Sequence, residues 1–66
     1  MTGTTTWKDL LVAAEARLPV VEARRILEEA SGYEPAELVL HLDDAAPPRA
    51  CHRALRMVER RTAGRY

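Results

Sequence analysis

From Pro48 to Gly64 the chain carries one uninterrupted helical pattern, opened by Pro47-Pro48 and closed by a glycine. Proline suits the first turn of a helix, where its missing N–H has no partner to lose, and glycine is favoured just past a helix end. Within the span, Cys51, Leu55, Val58 and Thr62 recur at i, i+4, i+7 and i+11, with Ala54 and Met57 beside them, so one stripe suits a core. Arg49, Arg53, Arg56 and Arg60 recur at the same spacing on another side of the rod, followed by Arg61 and Arg65. A rod with one apolar stripe needs partners that cover it. The rest of the chain has to supply them.

It has little material with which to do so. Sixty-six residues make one small domain, and a chain of this size buries only about 60% of the surface its unfolded form exposes. Cys51 is the sole cysteine, so no internal disulfide forms and the fold rests on helix packing. On the apolar stripe, Cys51 reads as a small core residue rather than a nucleophile.

The remaining segments also read as helices. Thr6 is placed to N-cap, with Asp9 three residues on completing a capping box. Trp7, Leu10, Leu11, Ala14 and Leu18 then fall at i, i+3, i+4, i+7 and i+11, with Trp7 plugging one end of the core. Pro19 marks the start of a second helix lined by Val20, Ala23, Ile26, Leu27 and Ala30, and Gly32 is its natural left-handed terminus. Arg24–Glu28 and Arg25–Glu29 have i,i+4 spacing on its outer side.

Pro35 opens a third segment, in which Leu38, Leu40 and Leu42 alternate as in a strand. No other segment alternates, and a lone strand is not viable. The segment is therefore expected to be a short, deeply buried helix. Asp43 to Pro47 form a loop. The expected fold is an all-α bundle of four, at most five, short helices: 7–18, 20–31, 35–42 and 48–63.

Several chemistries are excluded. Asn, Gln and Phe are absent, and Gly3, Gly32 and Gly64 are too scattered for a phosphate- or cofactor-cradling loop. His41, His52 and Cys51 lack zinc-ligand spacing, so no metal site is expected. Asp43-Asp44 reads as solvated turn residues or an acidic partner for arginines, not as an acid/base dyad, and no catalytic residue is assigned. Nothing approaches the ~20 apolar residues of a membrane span and no targeting segment is visible, so the chain reads as soluble and intracellular.

The formal net charge is zero, which argues against a dedicated nucleic-acid binder. Its distribution is nevertheless polar. Residues 1–48 hold four Lys/Arg against nine Asp/Glu, whereas residues 49–66 hold six Arg against one Glu. Three readings of the arginine stripe stay open: a solvated face balanced by acids of the other helices, a protein-contact face, or a phosphate-binding surface. The last lacks interleaved aromatics for stacking single strands.

The order of elements resembles a known family. Glu22-Ala23-Arg24-Arg25-Ile26-Leu27-Glu28-Glu29-Ala30-Ser31-Gly32, then Glu37-Leu38-Val39-Leu40-His41-Leu42-Asp43, then Arg60-Arg61-Thr62-Ala63-Gly64 look like the N-terminal domain of the HemK/PrmC family, the release-factor glutamine methyltransferases. Members show Asp-Ala-x-x-Leu-Leu-x-x-x-x-Gly, a Glu-Leu-x-x-x-x-Asp helix, and Arg-Arg-x-x-Gly ahead of the catalytic domain. Glu22 departs from the usual Asp, and Leu18-Pro19 stands where many members have a longer polar connection.

The resemblance implies a single non-catalytic helical domain, residues 1–66, trimmed from a larger enzyme. That enzyme uses S-adenosylmethionine to methylate the glutamine of the Gly-Gly-Gln motif in peptide-chain release factors. This domain is expected to help bind the release factor in the cytoplasm, as a monomer. Arg49, Arg53 and Arg56 are the candidate partner-binding face; Arg60, Arg61 and Gly64 are the candidate joint to the catalytic domain. No catalytic residue of the enzyme carries over, since its Asn-Pro-Pro-Tyr motif needs an Asn. The alternative is a stand-alone basic-faced module that binds nucleic acid or another protein.

Overall fold

The computed structural model describes residues 5–63. They form four helices: α1 (Trp7–Glu15), α2 (Val20–Ser31), α3 (Pro35–Leu40) and α4 (Pro48–Ala63). Among the described residues no strand forms, and the all-α expectation holds. α2 is the centre of the molecule, because α1, α3 and α4 all pack against it. Its Ala23 and Leu27 are fully buried and Ile26 nearly so. The longest helix is therefore not the hub; the hub is the helix with neighbours on most of its sides.

The start of α1 shows how the segments interlock. The first N–H groups of a helix have no partner within it. Here Trp7 N–H donates to the Asp44 carbonyl at 3.1 Å and Lys8 N–H to the Leu42 carbonyl at 2.9 Å. Asp9 N–H donates to Thr6 Oγ1 at 3.2 Å, while Thr6 N–H donates to Asp9 Oδ2 at 3.0 Å. This is the expected capping box, supplemented by two carbonyls of a distant loop. Ala46 N–H donates to the Thr5 carbonyl at 2.8 Å and continues the same strap.

That strap explains why α3 stops at Leu40, two residues before its expected end. His41 N–H bifurcates to the Glu37 and Leu38 carbonyls and leaves the helix. Leu42 can then turn its carbonyl toward α1. The expectation of deep burial also fails for α3. Only Leu38 is buried; Val39 is 53% and Leu40 79% exposed. A six-residue helix packed on α2 alone has one covered side.

α1 likewise ends at Glu15 rather than Leu18, although Leu18 N–H still bonds to the Ala14 carbonyl at 2.9 Å in a final turn. Leu18 precedes Pro19, and proline pushes its predecessor out of the helical region. Pro19 is the N-cap of α2, and Gly32 closes that helix with φ +80°. α4 spans Pro48–Ala63 and starts at the proline as expected, with Cys51 N–H bonding to the Pro47 carbonyl; Gly64, its expected stop, lies outside the described residues.

The core joins Trp7, Leu10, Leu11, Ala14 and Leu18 to Ala23, Ile26 and Leu27, with Leu38, Ala46, Ala54 and Val58 closing it. Two expected core positions lie outside. Val20 is 54% and Leu55 48% exposed. On α4 the buried residues are Ala54 and Val58, with Ala50, Cys51 and Met57 partly buried. The buried stripe is thus rotated away from Leu55 and toward Ala54 and Val58.

Candidate protein-contact face

Arg49, Arg53 and Arg56 all project from the exposed side of α4. At 3.6 residues per turn, Arg49, Arg53, Arg56 and Arg60 fall within an arc of about 60° and span about 16 Å of helix axis. The arc lies roughly opposite Ala54 and Val58, so folding the bundle leaves the four guanidinium groups in water. Among the described residues none of these four arginines forms an ion pair. The spaced pairs Arg24–Glu28 and Arg25–Glu29 of α2 do not close either.

Arg61 behaves differently. Its Nη1 donates to Glu22 Oε1 at 3.2 Å, joining the last turn of α4 to the first turn of α2. Arg17 Nη2, in the α1–α2 connection, donates to Thr62 Oγ1 at 3.1 Å. The far end of α4 is thereby tied to two other elements. Arg60, one residue earlier, instead lines a surface depression with Glu29, His52, Arg53, Arg56 and Met57. Arg60 and Arg61, paired in sequence as a candidate joint, thus share one depression beside Ile26, Glu29 and Met57, but only Arg61 is ion-paired among the described residues. Gly64, the third member of that joint, lies outside the described residues.

The depression belongs to a longer furrow between α2 and α4. One end is bounded by Ala30, Pro47, Arg49, Ala50 and Arg53. The other is bounded by Ile26, Glu29, Met57, Arg60 and Arg61. Glu29 and Met57 had not been singled out as furrow residues from the sequence. Met57 follows Arg53 by four residues and precedes Arg60 by three, so its spacing alone puts it on the flank of the arginine stripe.

Among the described residues no three His, Cys, Asp or Glu side chains converge as metal ligands. The closest titratable pair lies elsewhere: His41 Nδ1 is 2.7 Å from Asp44 Oδ2. The His41 ring also stacks on Tyr33 at 4.5 Å, and Tyr33 meets Trp7 edge-on at 6.0 Å. Asp44 lies in the solvated turn expected of it, 59% exposed, and its contact with His41 braces that turn, whose Leu42 and Asp44 carbonyls cap α1. The i,i+3 spacing of His41 and Asp44 was the available signal. His52 is exposed on the arginine side.

No helix of the described residues is long and apolar enough to cross a membrane. A family model described as the PrmC N-terminal domain matches residues 4–65. No curated protein and no solved structure gives a match.

Proposed function

The chain belongs to the PrmC N-terminal domain family, and from that premise we propose that it is the partner-gripping, non-catalytic domain of a release-factor glutamine methyltransferase. The family match over nearly the whole chain carries this reading. The partner is a peptide-chain release factor in the cytoplasm, presented to a catalytic domain of the same protein for methylation of its Gly-Gly-Gln glutamine. Arg49, Arg53 and Arg56 form the contact face. Arg60, Arg61 and Gly64 lead to the catalytic domain.

The methyl donor, S-adenosylmethionine, is bound by that other domain. The residues of this chain do not fit it: the described part is helical, and its single described glycine, Gly32, caps α2 instead of opening a phosphate- or nucleoside-binding loop. What this chain contributes is orientation. Binding energy won at a remote face positions the reacting glutamine and lowers the entropy lost in reaching the transition state.

Exposed, unpaired arginines also favour a second reading, a phosphate-binding module. The zero net charge and the lack of aromatics along the stripe count against it. Titrating the chain with purified release factor and, separately, with single-stranded and duplex RNA distinguishes the two. Saturable 1:1 binding of the release factor, with weak RNA binding, is expected. Tight RNA binding that collapses with added salt, without release-factor binding, would overturn the reading.

A further inference from the structure

We infer that the furrow between α2 and α4 receives an acidic amphipathic helix from the protein partner. This rests on the reading above that the chain grips a protein, and it names the chemistry of what is gripped. The furrow has both parts such a ligand needs. Its floor is apolar: Ala30 of α2 and Ala50 and Met57 of α4 are only partly buried and keep hydrocarbon surface open along it. Its rim is cationic: Arg49, Arg53, Arg56 and Arg60 line it against one acid, Glu29.

The cations are free to pair, since none has an ionic partner among the described residues. Guanidinium groups bind carboxylates through paired N–H donors, which gives direction as well as charge.

The period of the rim selects a helix over an extended peptide. Arg49 to Arg60 advance by four, three and four residues, or about 6, 4.5 and 6 Å along the axis. A second helix lying along the furrow carries carboxylates with the same advances at i, i+4, i+7 and i+11, so every pair stays in register. An extended chain presents same-side residues about every 6.7 Å and drifts some 3–4 Å out of step over the stripe. A third helix resting on two antiparallel ones is also ordinary ridge-into-groove packing. Nucleic acid fits less well, since no aromatic ring lines the furrow to stack a base.

The test uses the whole chain and a designed probe. The probe is a helix of about five turns built from Ala, Leu and Glu, with Glu at i, i+4, i+7 and i+11 flanked by Leu. A control of identical composition distributes the Glu evenly around the helix. Backbone amide shifts locate binding, and fluorescence anisotropy measures it.

The expected result is perturbation centred on Glu29, Arg53 and Met57, with the patterned probe bound at least about tenfold more tightly than the control. R53Q/R56Q/R60Q and, separately, M57E should each remove that preference while circular dichroism stays helical. Should M57E unfold the chain, the exposed arginine variant alone decides. Equal affinity for the two probes, shifts centred outside the furrow, or preferential binding of RNA in it would overturn the proposal.

A parallel titration with release factor separates this proposal from the reading beneath it. Release-factor binding that leaves the furrow amides unmoved sinks the furrow and spares the function. Patterned-probe binding without release-factor binding does the reverse.

Discussion

Arg61 in the last turn of α4 bonds to Glu22 in the first turn of α2 at 3.2 Å. The contact shows that the two helices run antiparallel, and it sits at the same end as the Arg17–Thr62 hydrogen bond. Both charged side chains keep contact with water, Arg61 at 53% and Glu22 at 26% exposure. An ion pair so exposed contributes about 0–1 kcal/mol. Urea denaturation of R61A should therefore lose no more than about 1 kcal/mol, with a shallower cost at high salt. The pair aligns the end of α4 more than it stabilises the fold.

Stability should depend on α2 rather than on the most conspicuous leucine of α4. Leu27 is fully buried at the helix that meets all three others, so Leu27→Ala should cost about 2–5 kcal/mol. At roughly 0.05–0.15 kcal/mol per residue, a domain of this size has about 3–10 kcal/mol of stability, so this variant should lose a large share of it and melt well below the parent chain. Leu55 is 48% exposed, and Leu55→Ala should cost below about 1 kcal/mol. Thermal melts followed by circular dichroism check both variants side by side.

At Gly32 the prediction isolates backbone strain. Its φ is +80°, and a Cβ added there would meet nothing within 4 Å. Gly32→Ala therefore creates no clash, and its cost of about 1–2 kcal/mol comes from the left-handed conformation alone. D-Ala at the same position, introduced by chemical synthesis, should be tolerated or stabilising, since it favours positive φ.

These contrasts also show which features were legible in the sequence. Punctuation was the most readable signal. Pro48 at the start of α4, Gly32 after α2 and the Thr6–Asp9 box act through neighbouring atoms, and each was visible before the fold was known. Features set by distant segments were not. The end of α3 depends on Leu42 and Asp44 lending carbonyls to α1, a demand no local pattern carries. Burial of α4 followed Ala54 and Val58 instead of Leu55 because the packing of α4 on α1 and α2 chose the covered side, which the helix's own periodicity does not carry. For the candidate site, the arginine stripe was plain from its spacing. The furrow was not, because Glu29 and Ala30 reach it from another helix.

For the proposed function, the most direct measurement is methylation of a release factor by a methyltransferase that carries this domain with R49Q/R53Q/R56Q. Glutamine keeps helix propensity close to that of arginine, and all three side chains are exposed, so the fold should be unchanged by circular dichroism. If this face grips the partner, kcat/KM should fall by about tenfold or more, chiefly through KM, because uniform binding is lost while the catalytic domain is untouched. Wild-type kcat/KM and KM in the triple variant would contradict the account and leave the stripe as a solvated helix face.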